Sequence, residues 1–171
     1  YYKNTNEVNS MEELVGKDRC NIYTGPEVVE FDGVPIQFIP WINANNYDES
    51  MTALSRSPAQ IAMGHLEVNG FEMHKGQFAD GAYDKESFQR FDIVMSGHFH
   101  HKSDDGHIYY LGTPYEIYWS DYEDPRGFHI FDTDTRELER IVNPYRLFEK
   151  VYYDDTTTDY TDYDMTKFKD M

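Results

Sequence analysis

The sequence predicts a layered α/β fold (an α+β sandwich) in which short apolar strands first alternate with helices and then follow one another directly. Two apolar runs, residues 59–65 and 92–98, have the length of buried strands, and each follows a helical segment. An Asp32-Gly33 dipeptide between two further apolar runs is a strong hairpin signal. The 171 residues are enough for one domain with a sizeable core.

The first half of the chain is predicted to open with a loop over residues 1–10 and a short helical segment over Met11–Val15. The elements expected next are a strand over 20–25, two hairpin strands within 27–41, a helix over Asp48–Arg56 that ends ahead of Pro58, and a strand over 59–65.

The second half is predicted to begin with a glycine-rich connection, residues 66–83, that is too irregular for a regular element. The elements expected after it are a short helix over 84–91, a strand over 92–98, and strands within 107–113, 127–132 and 137–142, the last two joined by a turn at residues 133–135. From Val151 the sequence becomes acidic and rich in Thr and Tyr. We therefore divide the chain into a domain over 1–150 and a linker, or the start of an incomplete second domain, over 151–171.

The charge balance is strongly acidic, with a net charge of −17. Nucleic-acid binders usually present a basic surface, so any contact with DNA or RNA must here be local, bridged by metal or supplied by a partner. Cys20 is the single cysteine, which excludes an internal disulfide and favours a reducing compartment. Because no signal peptide or membrane-spanning apolar run is evident, we expect a cytoplasmic protein.

Three of the seven histidines lie within the four positions from His98 to His101. Both "IAMGH", ending at His65, and "IVMSGH", ending at His98, deliver a histidine through a glycine after an apolar run. In open α/β sheets, ligands bind beyond the carboxyl ends of the strands, so the two endings converge if the strands are neighbours. His100 lies two residues after His98, on the same side of an extended backbone. This pattern predicts a metal site at His65, His98 and His100.

The other histidines are given structural roles. His101 is expected to point away from His98 and His100, either towards solvent or behind the metal ligands. His74, His107 and His129 follow no partner pattern.

The segments "GHLEVNG", "SGHFH", "YYLGTPYEIYWSDYEDPRGFHIFD" and "FIPW" together resemble the calcineurin-like metallophosphoesterases. Within that group they are most similar to the SbcD-type nuclease subunits and their counterparts in T-even bacteriophages. The resemblance covers residues 32–145. It implies two mixed sheets flanked by helices, of which this chain would form the C-terminal half.

The resemblance also implies a function. Relatives are subunits of DNA recombination and repair nucleases, with 3′-to-5′ exonuclease and single-strand endonuclease activity. They use two Mn²⁺ ions, with Mg²⁺ or Zn²⁺ as alternatives, to polarise a phosphodiester and generate a hydroxide. They work with an SbcC-type coiled-coil ATPase, and the full-length subunit forms a homodimer. Carried over to this chain, His65 and His98 would bind one metal and His100 the other.

The family also uses an N-terminal Asp-x-His, a Gly-Asp and a Gly-Asn-His-Asp motif, and none of these is present here. We therefore assign no catalytic residue to this chain, interpret it as a fragment, and expect it to be inactive alone. Two alternatives are a mononuclear zinc hydrolase that uses the same three histidines, and a non-catalytic remnant that docks onto the ATPase.

Overall fold

The computed structural model describes residues 11, 14–15, 20–74, 76–80 and 83–166, and these form a mixed α/β fold. In chain order its strands are β1 (Glu27–Phe31), β2 (Val34–Ile39), β3 (Ile61–Gly64), β4 (Glu72–His74), β5 (Gln77–Phe78), β6 (Ile93–Ser96), β7 (Ser103–Asp104), β8 (Ile108–Tyr110), β9 (Gly127–Phe131) and β10 (Leu138–Val142). The helices are α1 (Tyr47–Arg56) and two 3₁₀ helices, Lys85–Phe88 and Trp119–Asp121. The predicted fold class is confirmed.

Six of the strands form one mixed sheet in the order β1-β2-β3-β6-β8-β7. The four inner strands β2, β3, β6 and β8 are parallel, while β1 and β7 pair antiparallel at the two edges. The carboxyl ends of four parallel strands therefore meet at one edge of the sheet. Two small antiparallel sheets, β4-β5 and β9-β10, complete the strand pairing of the described residues.

The local sequence explains the predicted hairpin and helix. Asp32 and Gly33 both have positive φ angles, 49° and 79°, which is the backbone of a type I′ turn between twisted strands. Helix α1 carries acidic residues in its first turn and Arg56 in its last, as the helix dipole favours. It ends at Ser57 because the residue before a proline disfavours helical geometry.

The core lies mainly on one face of the six-stranded sheet, where α1 and the first 3₁₀ helix pack. Leu54 and Phe88 from these helices contact a cluster that includes Val94 and Ile108 from the sheet. A smaller cluster on the opposite face joins Ile36, Ile61 and Met95 with partly buried side chains, among them Phe131 and Leu138 of the β9-β10 sheet. The sheet is thus layered on both sides.

The strand predicted over 20–25 is wrong. These residues form no regular strand, although the outer side of β1 has no partner strand among the described residues. The segment instead lies across the sheet, with the Tyr23 ring stacked on Phe38 at a centroid distance of 5.5 Å.

Three further expectations need correction. The connection over 66–83 was expected to be irregular but contains the β4-β5 hairpin, and the helix expected over 84–91 is a single 3₁₀ turn. Strand β7 and the 3₁₀ helix Trp119–Asp121 were not predicted, because such two- and three-residue elements leave no periodic signal.

At the chain ends, Met11 and Leu14 are helical. Residues 12–13 of the predicted Met11–Val15 segment lie outside the described residues, as does the loop predicted over 1–10. No helix in the described part of the chain has the length and apolar character needed to cross a membrane.

Candidate metal centre

The two Gly-His strand endings converge as the sequence predicts. Strands β3 and β6 are parallel neighbours in which Gly64 pairs with Ser96, so both chains leave the sheet at the same edge. His65 and His98 follow within two residues, and Nε2 of His65 lies 3.1 Å from Nδ1 of His98. The pairing follows directly from the parallel register.

This separation suits two kinds of contact. Neutral imidazoles can share a hydrogen bond at 3.1 Å if one ring nitrogen carries the proton. Two imidazole nitrogens bound to one ion at about 2.0–2.1 Å each would lie about 2.9–3.4 Å apart, for angles at the ion between a right angle and the tetrahedral value. The pair thus has the geometry of two ligands to one metal ion.

Trp41 and Glu67 complete the surroundings of the pair. The Trp41 ring, which follows β2, lies with its centroid 4.8 Å from His98 and 5.9 Å from His65. Oε2 of Glu67 is 4.0 Å from Nε2 of His98. A cavity of about 40 Å³ beside His65 is lined by Trp41 and Glu67 among others, and it is large enough for a water molecule or an ion. No sequence pattern predicts that Glu67 lies here.

The ring of His100 packs against a different side chain. It stacks on Tyr118 with parallel planes (3°) and centroids 5.4 Å apart. Its Nδ1 atom is buried and has no hydrogen-bond partner among the described residues. Within those residues no three His, Cys, Asp or Glu side chains converge as a group that could hold a metal ion. The assignment of His65, His98 and His100 as metal ligands therefore stays a prediction: the structure brings His65 and His98 together and places the His100 ring against Tyr118.

Two of the remaining histidines make polar contacts with protein atoms. His101 lies between two carboxylates, with Nδ1 2.8 Å from Asp124 Oδ2 and Nε2 3.2 Å from Glu72 Oε2. Nε2 of His107 lies 2.7 Å from the Phe91 carbonyl oxygen. On β9, burial and the nearby cationic Arg140 lower the pKa of His129.

Two buried hydroxyls hold the chain that follows His65. Ser96 Oγ accepts the Leu66 N–H at 3.0 Å and donates to the Leu66 carbonyl at 3.2 Å. The Tyr110 hydroxyl donates to the same carbonyl at 3.0 Å and accepts the Val68 N–H at 2.8 Å. Burial raises the pKa of Tyr110 far above its ordinary value, so the phenol remains a donor at any working pH.

Replacing Tyr110 with Phe is expected to lower the free energy of unfolding by about 1–3 kcal/mol, because the buried Val68 N–H loses the hydroxyl that accepts its hydrogen bond. The measurement is urea unfolding followed by circular dichroism. Tyr109→Phe is the matched control, since its hydroxyl donates to Gly106 in an exposed bond. Equal effects of the two substitutions would contradict the role of Tyr110.

A buried ion-pair network underlies the histidine segment. Arg126 pairs with Asp121 and Asp124, each at 2.8 Å, and its side chain is 5% exposed. Burial opposes ionisation of Asp121, but the Tyr118 and Ile117 N–H groups and Arg126 outweigh it, so the pKa of Asp121 is lowered. The sequence motif "DPRGF" contributes to the family resemblance but does not predict this network. The residues around Arg126 in the sequence do not indicate which atoms its guanidinium contacts.

The protein is therefore an α/β protein with a candidate metal centre, formed by histidines at the carboxyl edge of its parallel strands. This chain is similar to exonuclease subunit 1 of Enterobacteria phage T4, to which it is 36% identical over 154 residues. The match covers 90% of this chain but only 45% of that protein, so the chain spans less than half the length of its relative. The predicted resemblance to a T-even phage nuclease subunit is thereby confirmed. No protein-family model matches the chain.

Proposed function

We propose that this chain is part of a DNA-processing nuclease subunit that hydrolyses phosphodiester bonds with bound metal. The observation that carries the proposal is the approach of His65 and His98 to 3.1 Å at the carboxyl edge of a parallel sheet. The similarity to a phage exonuclease subunit supports a DNA substrate. The finer activities proposed are 3′-to-5′ exonuclease and single-strand endonuclease, in DNA recombination and repair.

In this proposal His65 and His98 hold one metal ion and His100 contributes to a second. Mn²⁺ is the proposed ion, and when bound the two ions supply Lewis acidity at the phosphodiester. The Trp41 ring packs beside both imidazoles of the pair. Hard Mn²⁺ prefers oxygen ligands, so a complete site needs carboxylates in addition to these imidazoles.

The acidic charge shapes the proposed assembly. A chain with a net charge of −17 gains little from counterion release, so DNA affinity is assigned to the metal ions and to a partner. The partner proposed is an SbcC-type coiled-coil ATPase, and the full-length subunit is proposed to be a homodimer.

A longer protein that contains this chain tests the function directly. His98→Ala is expected to reduce Mn²⁺-dependent exonuclease activity to the background rate, since it removes one of two adjacent imidazoles. His74→Ala, at the exposed end of β4, is the matched control and should retain activity. Full activity of His98→Ala would refute the proposed site.

The isolated chain is expected to bind Mn²⁺ weakly and to cleave no DNA, because imidazoles without carboxylates make a poor site for this ion. Titration followed by the electron paramagnetic resonance signal of free Mn²⁺ measures the binding, and a labelled oligonucleotide measures cleavage. Mn²⁺-dependent cleavage by the chain that disappears in His98→Ala would contradict this expectation.

The imidazole pair also suits zinc, which keeps a mononuclear zinc hydrolase as the second candidate. One tightly bound Zn²⁺ per chain, with hydrolysis that does not respond to Mn²⁺, would favour it over the two-metal nuclease.

A further inference from the structure

Arg126 lies beneath the segment that carries His98 and His100. We propose that Arg126 is a positioning residue that fixes the His100 imidazole, acting on the backbone of His100 and on the ring that stacks against it. The inference rests on the proposed metal-binding role of His100 and deepens it. Arg126 itself contacts neither imidazole nitrogen of His100 in the described structure.

The first step of the argument is the backbone of His100. Nη1 of Arg126 donates to the His100 carbonyl oxygen and, at 3.2 Å, to Thr113 Oγ1. The Thr113 N–H donates to the same His100 carbonyl at 3.2 Å. One donor lies in the loop after β8 and the other directly before β9, and both bond to the same carbonyl oxygen. The backbone of His100 therefore has little freedom to rotate.

The second step is the ring. The ring of His100 stacks on Tyr118, and the Tyr118 N–H donates to Asp121 Oδ2 at 3.0 Å. Asp121 pairs with Arg126, and its side chain is 1% exposed. The same network therefore holds both the carbonyl of His100 and the aromatic ring against which its imidazole lies.

The third step is the neighbouring residue. Asp124 Oδ2 accepts a hydrogen bond from Arg126 at 2.8 Å and lies 2.8 Å from His101 Nδ1. The side chain of His101 is thus tied to the guanidinium through one shared carboxylate oxygen. A planar fork of donors suits this arrangement, because it reaches a carbonyl, a hydroxyl and two carboxylates at once.

These contacts leave one atom of His100 without a partner. Its Nδ1 is buried and makes no hydrogen bond among the described residues, although leaving such an atom unsatisfied costs free energy. The network fixes the backbone and the stacked ring but gives this buried nitrogen no partner, and binding of a ligand to the nitrogen would satisfy it. Groups that orient metal-binding histidines typically change metal affinity 10- to 100-fold, on the order expected here.

Nuclear magnetic resonance of the histidine rings in the isolated chain tests the inference without any activity measurement. The variants are Arg126→Gln and Arg126→Lys, and Arg136→Gln is the matched control because Arg136 also bonds two partners but does so at the exposed surface. His107, bonded to the Phe91 carbonyl, reports whether each variant is folded. Zn²⁺ is the diamagnetic probe added in the second stage.

In folded Arg126→Gln we expect the His100 ring signals to lose the shift caused by the Tyr118 ring. The Zn²⁺ concentration at which the His100 signals reach half of their total Zn²⁺-induced shift should rise by about 10- to 100-fold. Arg126→Lys, which keeps the charge but not the fork, should give an intermediate result, and Arg136→Gln should match the wild type.

An unchanged His100 shift and an unchanged Zn²⁺ midpoint in folded Arg126→Gln would overturn the inference. If that variant loses its His107 signals, the same two readouts in Arg126→Lys decide. If Zn²⁺ leaves every wild-type histidine signal unmoved, the proposed metal site fails in this chain, while the His100 shift still decides whether Arg126 positions the ring.

Discussion

Replacing Asp121 with Ala is expected to lower the free energy of unfolding by about 3–5 kcal/mol, as breaking a buried ion pair typically does. The substitution removes a partner of Arg126 at a site where the two side chains are 1% and 5% exposed. It also strands the Ile117 and Tyr118 N–H groups, which donate to Asp121 Oδ2 at 2.8 and 3.0 Å. Since folded domains are typically stable by only about 5–15 kcal/mol, this loss approaches the stability of the chain.

The matched control is Asp92→Ala, which also removes an aspartate from an arginine. Asp92 pairs with Arg136 at 2.6 Å, but the side chains are 52% and 36% exposed. Exposed ion pairs contribute about 0–1 kcal/mol, so this variant should unfold close to the wild type. Urea unfolding curves compare the two, and equal losses would contradict the assigned role of the Asp121 pair.

Acidification offers a second readout of Asp121. The pKa of this carboxyl in the folded protein is lowered from its ordinary value of 3.8. Ionisation of Asp121 therefore stabilises the folded state at pH values above 3.8. That contribution is lost as the pH falls through the folded pKa. Asp121→Ala should therefore lose less stability than the wild type on acidification below about pH 4. Parallel pH dependences for the two proteins would argue against this linkage.

The sequence was sufficient to predict the edge of the sheet where the histidines lie. The apolar runs that end at His65 and His98 predict buried strands with glycines at their ends. Such continuous apolar runs are typical of buried strands in parallel sheets. The prediction succeeded because both signals are local. The pairing of β3 with β6, which the 3.1 Å approach needs, then followed from a common rule of α/β topology.

The support beneath the site could not be predicted in this way. Arg126 is 26 residues from His100 in sequence, and its contacts with the His100 carbonyl and Thr113 depend on how the chain after β8 folds back. A backbone carbonyl also carries no side-chain signature. Similarly, the segment 20–25 has strand-like residues, but whether it pairs depends on tertiary contacts such as the packing of Tyr23 on Phe38, which the local sequence does not indicate.

Replacing Gly112 with Ala is expected to destabilise the chain and to displace His100. Gly112 has a φ of 73°, and a Cβ there would lie 2.9 Å from the His100 carbonyl oxygen and 3.2 Å from the Lys102 nitrogen. A left-handed backbone costs an alanine about 1–2 kcal/mol. The clash with backbone atoms adds a typical overpacking cost of about 1–3 kcal/mol, because neither neighbour is a flexible side chain.

Gly106→Ala separates these two costs. Gly106 has a φ of 85°, yet a Cβ there would meet nothing within 4 Å, so this variant has the backbone strain without the clash. We expect Gly106→Ala to lower the urea midpoint modestly and to leave the His100 ring signals unchanged. Gly112→Ala should lower the midpoint further and shift those signals, because the alanine pushes on the carbonyl that Arg126 and Thr113 hold. Equal midpoints, with His100 unmoved in both variants, would mean that the loop after β8 yields to the methyl group and does not fix the histidine.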